Sequence, residues 1–165
     1  MAIKKVLNPM ILMIFLPVVY LGQGLNPVTW ETSYEEISDS TGDLVFTAKI
    51  EDKWHIYSQK QGNDGPIPTS FTLIMTPDFK LIGEVQEPKP ENVYTEVFQS
   101  NVLMFSKQVV FRQKIHRHNK KQFFVNGELE YMACNDLSCL PPKTLKINIK
   151  VGAHIHEAKP KAQQK

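Results

Sequence analysis

The sequence predicts an all-β fold, an antiparallel β-sandwich, and three observations carry that prediction. From Asp43 onward the dominant apolar period is two, the spacing of side chains that point to alternate faces of a strand. Clusters of Pro, Gly, Asn and Asp break this alternation into short runs, as turns between strands do. Beyond the first two dozen residues no stretch repeats its apolar residues at the spacing of an amphipathic helix. Seven or so short strands with regular turn signals fit a sandwich closed over one core.

The N-terminal segment stands apart from this pattern. Lys4 and Lys5 precede the apolar run Met10–Gly22, and no acid appears before Glu31. A run of about 13 apolar residues is too short to cross a hydrocarbon core of roughly 30 Å comfortably as a helix. Gly22 and Gly24 place small residues at the −3 and −1 positions of a cleavage site after Gly24. Basic, apolar and small residues in that order form a secretory signal, so residues 1–24 are expected to direct export. No cysteine lies near that site, which excludes a lipoprotein anchor. Removal of the signal takes two lysines and no acids, leaving 17 basic and 17 acidic residues. A neutral domain has no net pull on nucleic acid or an anionic membrane, and nucleic-acid binding is set aside.

Of the 165 residues, those from 25 to 152 are expected to form one domain, a length that buries a core without metal or several disulfides. Leu44, Phe46, Ala48 and Ile50 alternate with Val45, Thr47, Lys49 and Glu51 as a half-buried strand. Phe71, Leu73 and Met75 repeat the pattern. Val109, Phe111 and Ile115 share a phase that Gln113 interrupts, and Val125, Gly127, Leu129, Tyr131 and Ala133 hold one phase into Cys134. Leu145, Ile147, Ile149 and Val151 give the clearest alternation. Turns are expected at Asn63-Asp-Gly-Pro66, Pro77-Asp78 and Pro88-Lys-Pro90, and Asn126-Gly127 marks a bulge or a hairpin turn. Residues 153–165 are polar and basic with no apolar period, the composition of a frayed tail.

The chain has two cysteines, Cys134 and Cys139, enclosing Asn135-Asp136-Leu137-Ser138. Outside the cytoplasm such a pair is free to form a disulfide, and two cysteines are too few for a cysteine-rich zinc cluster. Four intervening residues let the chain reverse and bring the two Cα atoms to the roughly 5.5–6 Å of a typical bridge. Closing about six residues limits unfolded-state entropy by only about 2 kcal/mol, against nearly 5 for a 100-residue loop. A bond between chain neighbours also cannot tie two sheets together, and exposed local disulfides are the more labile ones. Spacing alone leaves a thiol–disulfide exchange pair, a structural staple and a metal site all open. Asp136 lies within the loop, where its charge disfavours a thiolate, and no Lys, Arg or His stands between the cysteines. The pair therefore suits a disulfide that a partner's thiolate attacks, and then a dithiol that passes electrons on.

The segment Tyr131-Met-Ala-Cys-Asn-Asp-Leu-Ser-Cys-Leu-Pro-Pro142 resembles the active-site hairpin of the N-terminal extracytoplasmic domain of the thiol:disulfide interchange protein DsbD family. Asp52-Lys-Trp-His-Ile-Tyr57 and Gly65-Pro-Ile-Pro68 are similar to the same family, and the resemblance runs from Val45 to Val151. It implies an immunoglobulin-like sandwich that exchanges dithiol and disulfide with no bound cofactor. Electrons would come from a membrane-embedded or thioredoxin-like donor and pass to disulfides of extracytoplasmic proteins, in the periplasm by the family's habit. Cys139 would form the mixed disulfide and Cys134 would resolve it.

The resemblance further implies a short cap loop with Phe98 over the sulfurs, Glu96 as a nearby acid, and Tyr57 as an aromatic beside the site. His55 and Asp136 complete the expected surroundings. The chain departs from the best-known members in three places: four residues between the cysteines rather than five, His55 in place of a tyrosine, and Val97 in place of an acid. The match covers one domain, so the donor is expected on a separate polypeptide and the domain as a monomer. Two rivals stand beside this reading: a binding module whose disulfide only stiffens a hairpin, and a metal-handling protein. His116-x-His118 and His154-x-His156 each put two imidazoles on one face. Neighbouring Lys114, Arg117, Lys120 and Lys121 repel a cation at the first pair, so no metal is expected.

Overall fold

The computed structural model describes residues 25–62 and 65–152. The export segment 1–24, Asn63 and Asp64 of the first expected turn, and the tail from 153 with its two histidines lie outside the described residues. Eleven strands follow in order: β1 (Val28–Glu36), β2 (Thr41–Ile50), β3 (His55–Tyr57), β4 (Ser70–Leu73), β5 (Phe79–Gln86), β6 (Glu91–Thr95), β7 (Ser100–Ser106), β8 (Gln108–Arg117), β9 (Phe123–Tyr131), β10 (Ala133–Cys134) and β11 (Lys143–Val151). Every strand pair is antiparallel, in three sheets ordered β1-β2-β8-β5, β10-β3-β7-β6 and β11-β9-β4. The all-β antiparallel expectation is met, and the described residues contain no helix.

Alternation in the long strands builds the core. Leu44, Phe46 and Ala48 of β2, Val109, Phe111 and Ile115 of β8, Val125 and Leu129 of β9, and Ile147 and Ile149 of β11 are buried together. Phe111 sits at the junction, its ring centroid 5.9 Å from Trp30, 5.2 Å from Phe71 and 5.7 Å from Phe105. Those three partners come from β1, β4 and β7, one from each sheet, so a single aromatic cluster ties the layers together.

Two sequence readings are corrected. Gln113 does not interrupt the inward phase of β8 but continues it, being 2% exposed. Its amide donates to the carbonyls of Ile82 and Gly83, where β5 slips register, and to Lys114 O at 2.8 Å. A buried amide is tolerated there because its N–H groups find carbonyl acceptors beside the register shift. Asn126-Gly127 is neither bulge nor turn: β9 runs through it in unbroken register with β11, and Gly127 also pairs with Leu73 of β4. Glycine is required by close approach, since a Cβ on Gly127 would lie 2.3 Å from the Thr72 carbonyl oxygen.

Trp54 belongs to the core cluster and so holds the sandwich together. Of the other expected turns, Pro77-Asp78 immediately precedes β5 and Pro88-Lys-Pro90 joins β5 to β6.

Gly127→Ala is expected to destabilise the fold by about 1–3 kcal/mol through overpacking of β4, read as a lower urea midpoint. Gly62→Ala, whose Cβ would meet nothing within 4 Å, should leave the midpoint within error of the parent.

Candidate functional site

The sheet β10-β3-β7-β6 is covered on both faces, and strand alternation divides its side chains between them. Ala133, Ile56 and Phe105 lie opposite one another in the ladder and point into the main core. Their neighbours Cys134, His55 and Ser106 form the next row, on the other face. Met132, Tyr57 and Met104 share that second face, where Tyr57, Val102 and Cys134 are buried with Phe98, Met104, Met132 and Cys139 packed against them. The outward face therefore has its own small apolar cluster, and the cysteines are part of it.

Cys134 and Cys139 are joined by a disulfide and form an antiparallel bridge. Asn135 N–H donates to Ser138 O at 2.9 Å on one side of the pair, and Leu140 N–H to Ala133 O at 2.9 Å on the other. The cysteines thus occupy a non-hydrogen-bonded position, where facing residues come closest. Their Cα atoms are 4.0 Å apart, nearer than the 5.5–6 Å anticipated from loop length alone. Asn135 Oδ1 accepts from the N–H groups of Leu137 and Ser138, both at 2.9 Å, the Asx geometry that lets a short side chain close a tight turn. Leu137 at its tip is 90% exposed.

The two sulfurs differ in access. Cys134 is buried at 1% exposure, whereas Cys139 is only half-buried. Over the cluster lies the hairpin of β6 and β7, whose connection Glu96–Gln99 presents Phe98 inward. The Phe98 ring meets Tyr57 edge-on at 6.0 Å between centroids. Gln99 adopts φ of 51°, a left-handed conformation few side chains favour, which turns the chain back into β7 directly after Phe98. Glu96 and Val97 are exposed on this cap.

Between the cap and the cysteine hairpin opens a cleft of ≈ 270 Å³, lined by His55, Tyr57, Met104, Glu96 and Asp136 among others. Burial governs the electrostatics here. Desolvation pushes the Tyr57 phenol up to about 12, so it stays protonated in the physiological range. Desolvation also lowers His55, and the negative charge of Asp136 offsets that in part. His55 Nε2 and the Tyr57 hydroxyl are 3.1 Å apart.

The structure thus brings together every site residue named from the sequence: Cys134, Cys139, Tyr57, His55, Phe98, Glu96 and Asp136. Met104, Met132 and Val102 were not anticipated. Met132 was within reach, since it stands two residues before Cys134 and so shares its face; Met104 depends on pairing with Tyr57 across β3 and β7. Of the set-aside histidines, His118 commits Nδ1 to the Pro77 carbonyl at 2.7 Å.

The family described as thiol:disulfide interchange protein DsbD, N-terminal, matches residues 27–150. The chain belongs to that family. DsbD N-terminal domains are thiol–disulfide exchange domains with an immunoglobulin-like fold, and the paired cysteines of this member lie in its matched region. Among solved structures, the reduced N-terminal domain of DsbD from Neisseria meningitidis is 14% identical, with 75% of this chain and 86% of that one covered and a TM-score of 0.49. The N-terminal periplasmic domain of ScsB from Proteus mirabilis is 14% identical over 73% of this chain and 45% of that chain, with a TM-score of 0.50. The complex between the DsbD and PilB N-terminal domains of Neisseria meningitidis gives 15% identity, coverage of 76% and 87%, and a TM-score of 0.49. A comparison with curated proteins returns no match.

A DsbD N-terminal domain with a buried neutral imidazole should lose stability in acid by a definite sign. Because His55 binds its proton less readily folded than unfolded, the unfolded chain takes up more protons as pH falls through about 6.5, and stability falls with it. Urea midpoints at about pH 7 and about pH 5 should drop further for the parent than for His55→Gln; equal drops would contradict the burial argument.

Proposed function

We propose that this domain is an exported electron carrier that reduces disulfides of extracytoplasmic proteins through Cys134 and Cys139. The observation that carries the reading is the unequal access of the two sulfurs. Cys139 is half-buried and the more reachable of the two, while Cys134 is buried beside it. In the reduced domain the Cys139 thiolate attacks a partner disulfide, forming a mixed disulfide and releasing one partner thiolate. Cys134 then attacks Cys139 Sγ, the bond to the partner breaks, and the second partner sulfur leaves with the electron pair. Two electrons have moved, and the Cys134–Cys139 bond has formed. The disulfide is itself the redox group, so the step needs no bound cofactor.

Phe98 acts as a lid in this scheme, since its ring packs on the cluster that holds both cysteines and a partner must move it to reach them. The hairpin is closed by its own backbone and Asx hydrogen bonds, which favours a removable bond over a staple. Re-reduction falls to a thioredoxin-like or membrane-embedded donor, consistent with the family. The periplasm is the compartment we assign, supported by the expected export signal and by the periplasmic ScsB domain of like fold. The domain works as a monomer, with the capped face around Cys139 left for partners.

The reading predicts which single-cysteine variant captures a partner. Cys134→Ser, treated with glutathione disulfide, should accumulate one glutathione per chain on Cys139 by mass spectrometry. Cys139→Ser should label far more slowly on the buried Cys134. Equal labelling, or faster labelling of Cys134, would reverse the assigned roles.

A further inference from the structure

The resolving step leaves one proton without a stated destination. Cys134 must lose it before attacking Cys139, yet Cys134 is buried and the nearest loop acid, Asp136, disfavours a thiolate. The ladder places His55 directly across from Cys134. Facing residues of an antiparallel pair have their Cβ atoms about 4.5–5.5 Å apart on the same face. An imidazole is a good base near pH 7.

We propose that His55 accepts the proton of the Cys134 thiol as Cys134 attacks the mixed disulfide on Cys139, a role that rests on the exchange reading above. In the tautomer whose Nε2–H donates to the Tyr57 hydroxyl oxygen, 3.1 Å away, Nδ1 carries the lone pair that takes the proton. As the sulfur–sulfur bond forms, the imidazolium holds the proton, then gives it to the departing partner thiolate or to water in the cleft. The partner's disulfide is the oxidant, and the dithiol supplies both electrons.

The surroundings suit a base that is neutral at rest and charged in passing. Desolvation keeps the resting imidazole unprotonated. Asp136 stabilises the imidazolium once it forms, and Glu96 lines the same cleft. On the far side of His55, Glu51 and Asp52 are balanced by Lys53 and Lys107 around a second cleft, so no strong field opposes the transfer. Ser106, on the other ladder neighbour of His55, carries no charge.

Nitrogen NMR of histidine-labelled parent protein, oxidised and then reduced with excess dithiothreitol, tests this between about pH 5 and 9. In the reduced protein His55 should titrate in two steps, the second coinciding with deprotonation of Cys134, because coupled groups share their macroscopic transitions. In the oxidised protein it should titrate in one. Identical single steps in both states would overturn the proposal, and this comparison depends on no variant folding. In parallel, His55→Gln should release glutathione from the Cys139 adduct about tenfold or more slowly near pH 7 and lose the imidazole inflection in the pH–rate profile. Unchanged rate and profile would also overturn it. A parent protein inert toward glutathione disulfide would remove the exchange reading itself, and the proposal with it.

Discussion

The site depends on one constraint, the two-residue period of the short strands β3 and β10. Ile56 and Ala133 must enter the main core, so His55, Tyr57 and Cys134 are forced onto the opposite face. A single-residue slip in β3 would exchange its faces, burying a histidine in the core and putting an isoleucine at the site, and a slip in β10 would turn Cys134 into the core. The core thus sets the register, and the register sets the chemistry. The aromatic cluster around Phe111 matters to function in the same way, because Phe105 anchors β7, on which β3 is paired.

On that second face, burial and access are opposed. The small cluster under the cap is dry enough to keep Tyr57 a phenol and to hold His55 neutral. It is also thin, covered by the four-residue cap connection and flanked by clefts on both sides of His55. A sulfur in such a place is shielded from chance encounters but is not locked away. The asymmetry between half-buried Cys139 and buried Cys134 then gives the two steps of exchange an order: the reachable sulfur engages the partner first, and the hidden one completes the reaction.

Strands β2, β8, β9 and β11 were plain in the sequence because their apolar alternation is clean, as in Leu145 to Val151, whereas β1 and β5 were not read as strands. The strands around the site were not plain either. β3 has three residues, all buried, so it shows no alternation. β6 has no fully buried residue, and β7 divides its buried residues between two clusters, Phe105 in the main core and Val102 at the site. Gln113 and Gly127 misled for a related reason, since their roles lie in contacts with β5 and β4 that no local pattern reveals. The site residues were identified by motif and family resemblance. Phe98, Glu96 and His55 carry no signal of their own, and a physical reason for them came only with the pairing of β3, β7 and β10.

The central claim is that this buried, capped bond is made to be broken, and the equilibrium of the bond itself tests it most directly. Thiol trapping of the parent domain in glutathione or dithiothreitol buffers gives the reduction potential of the Cys134–Cys139 pair. The account predicts a value between roughly −180 and −270 mV, the range of proteins that exchange disulfides. A value well below about −300 mV would make the bond a structural clamp and the domain a binding module.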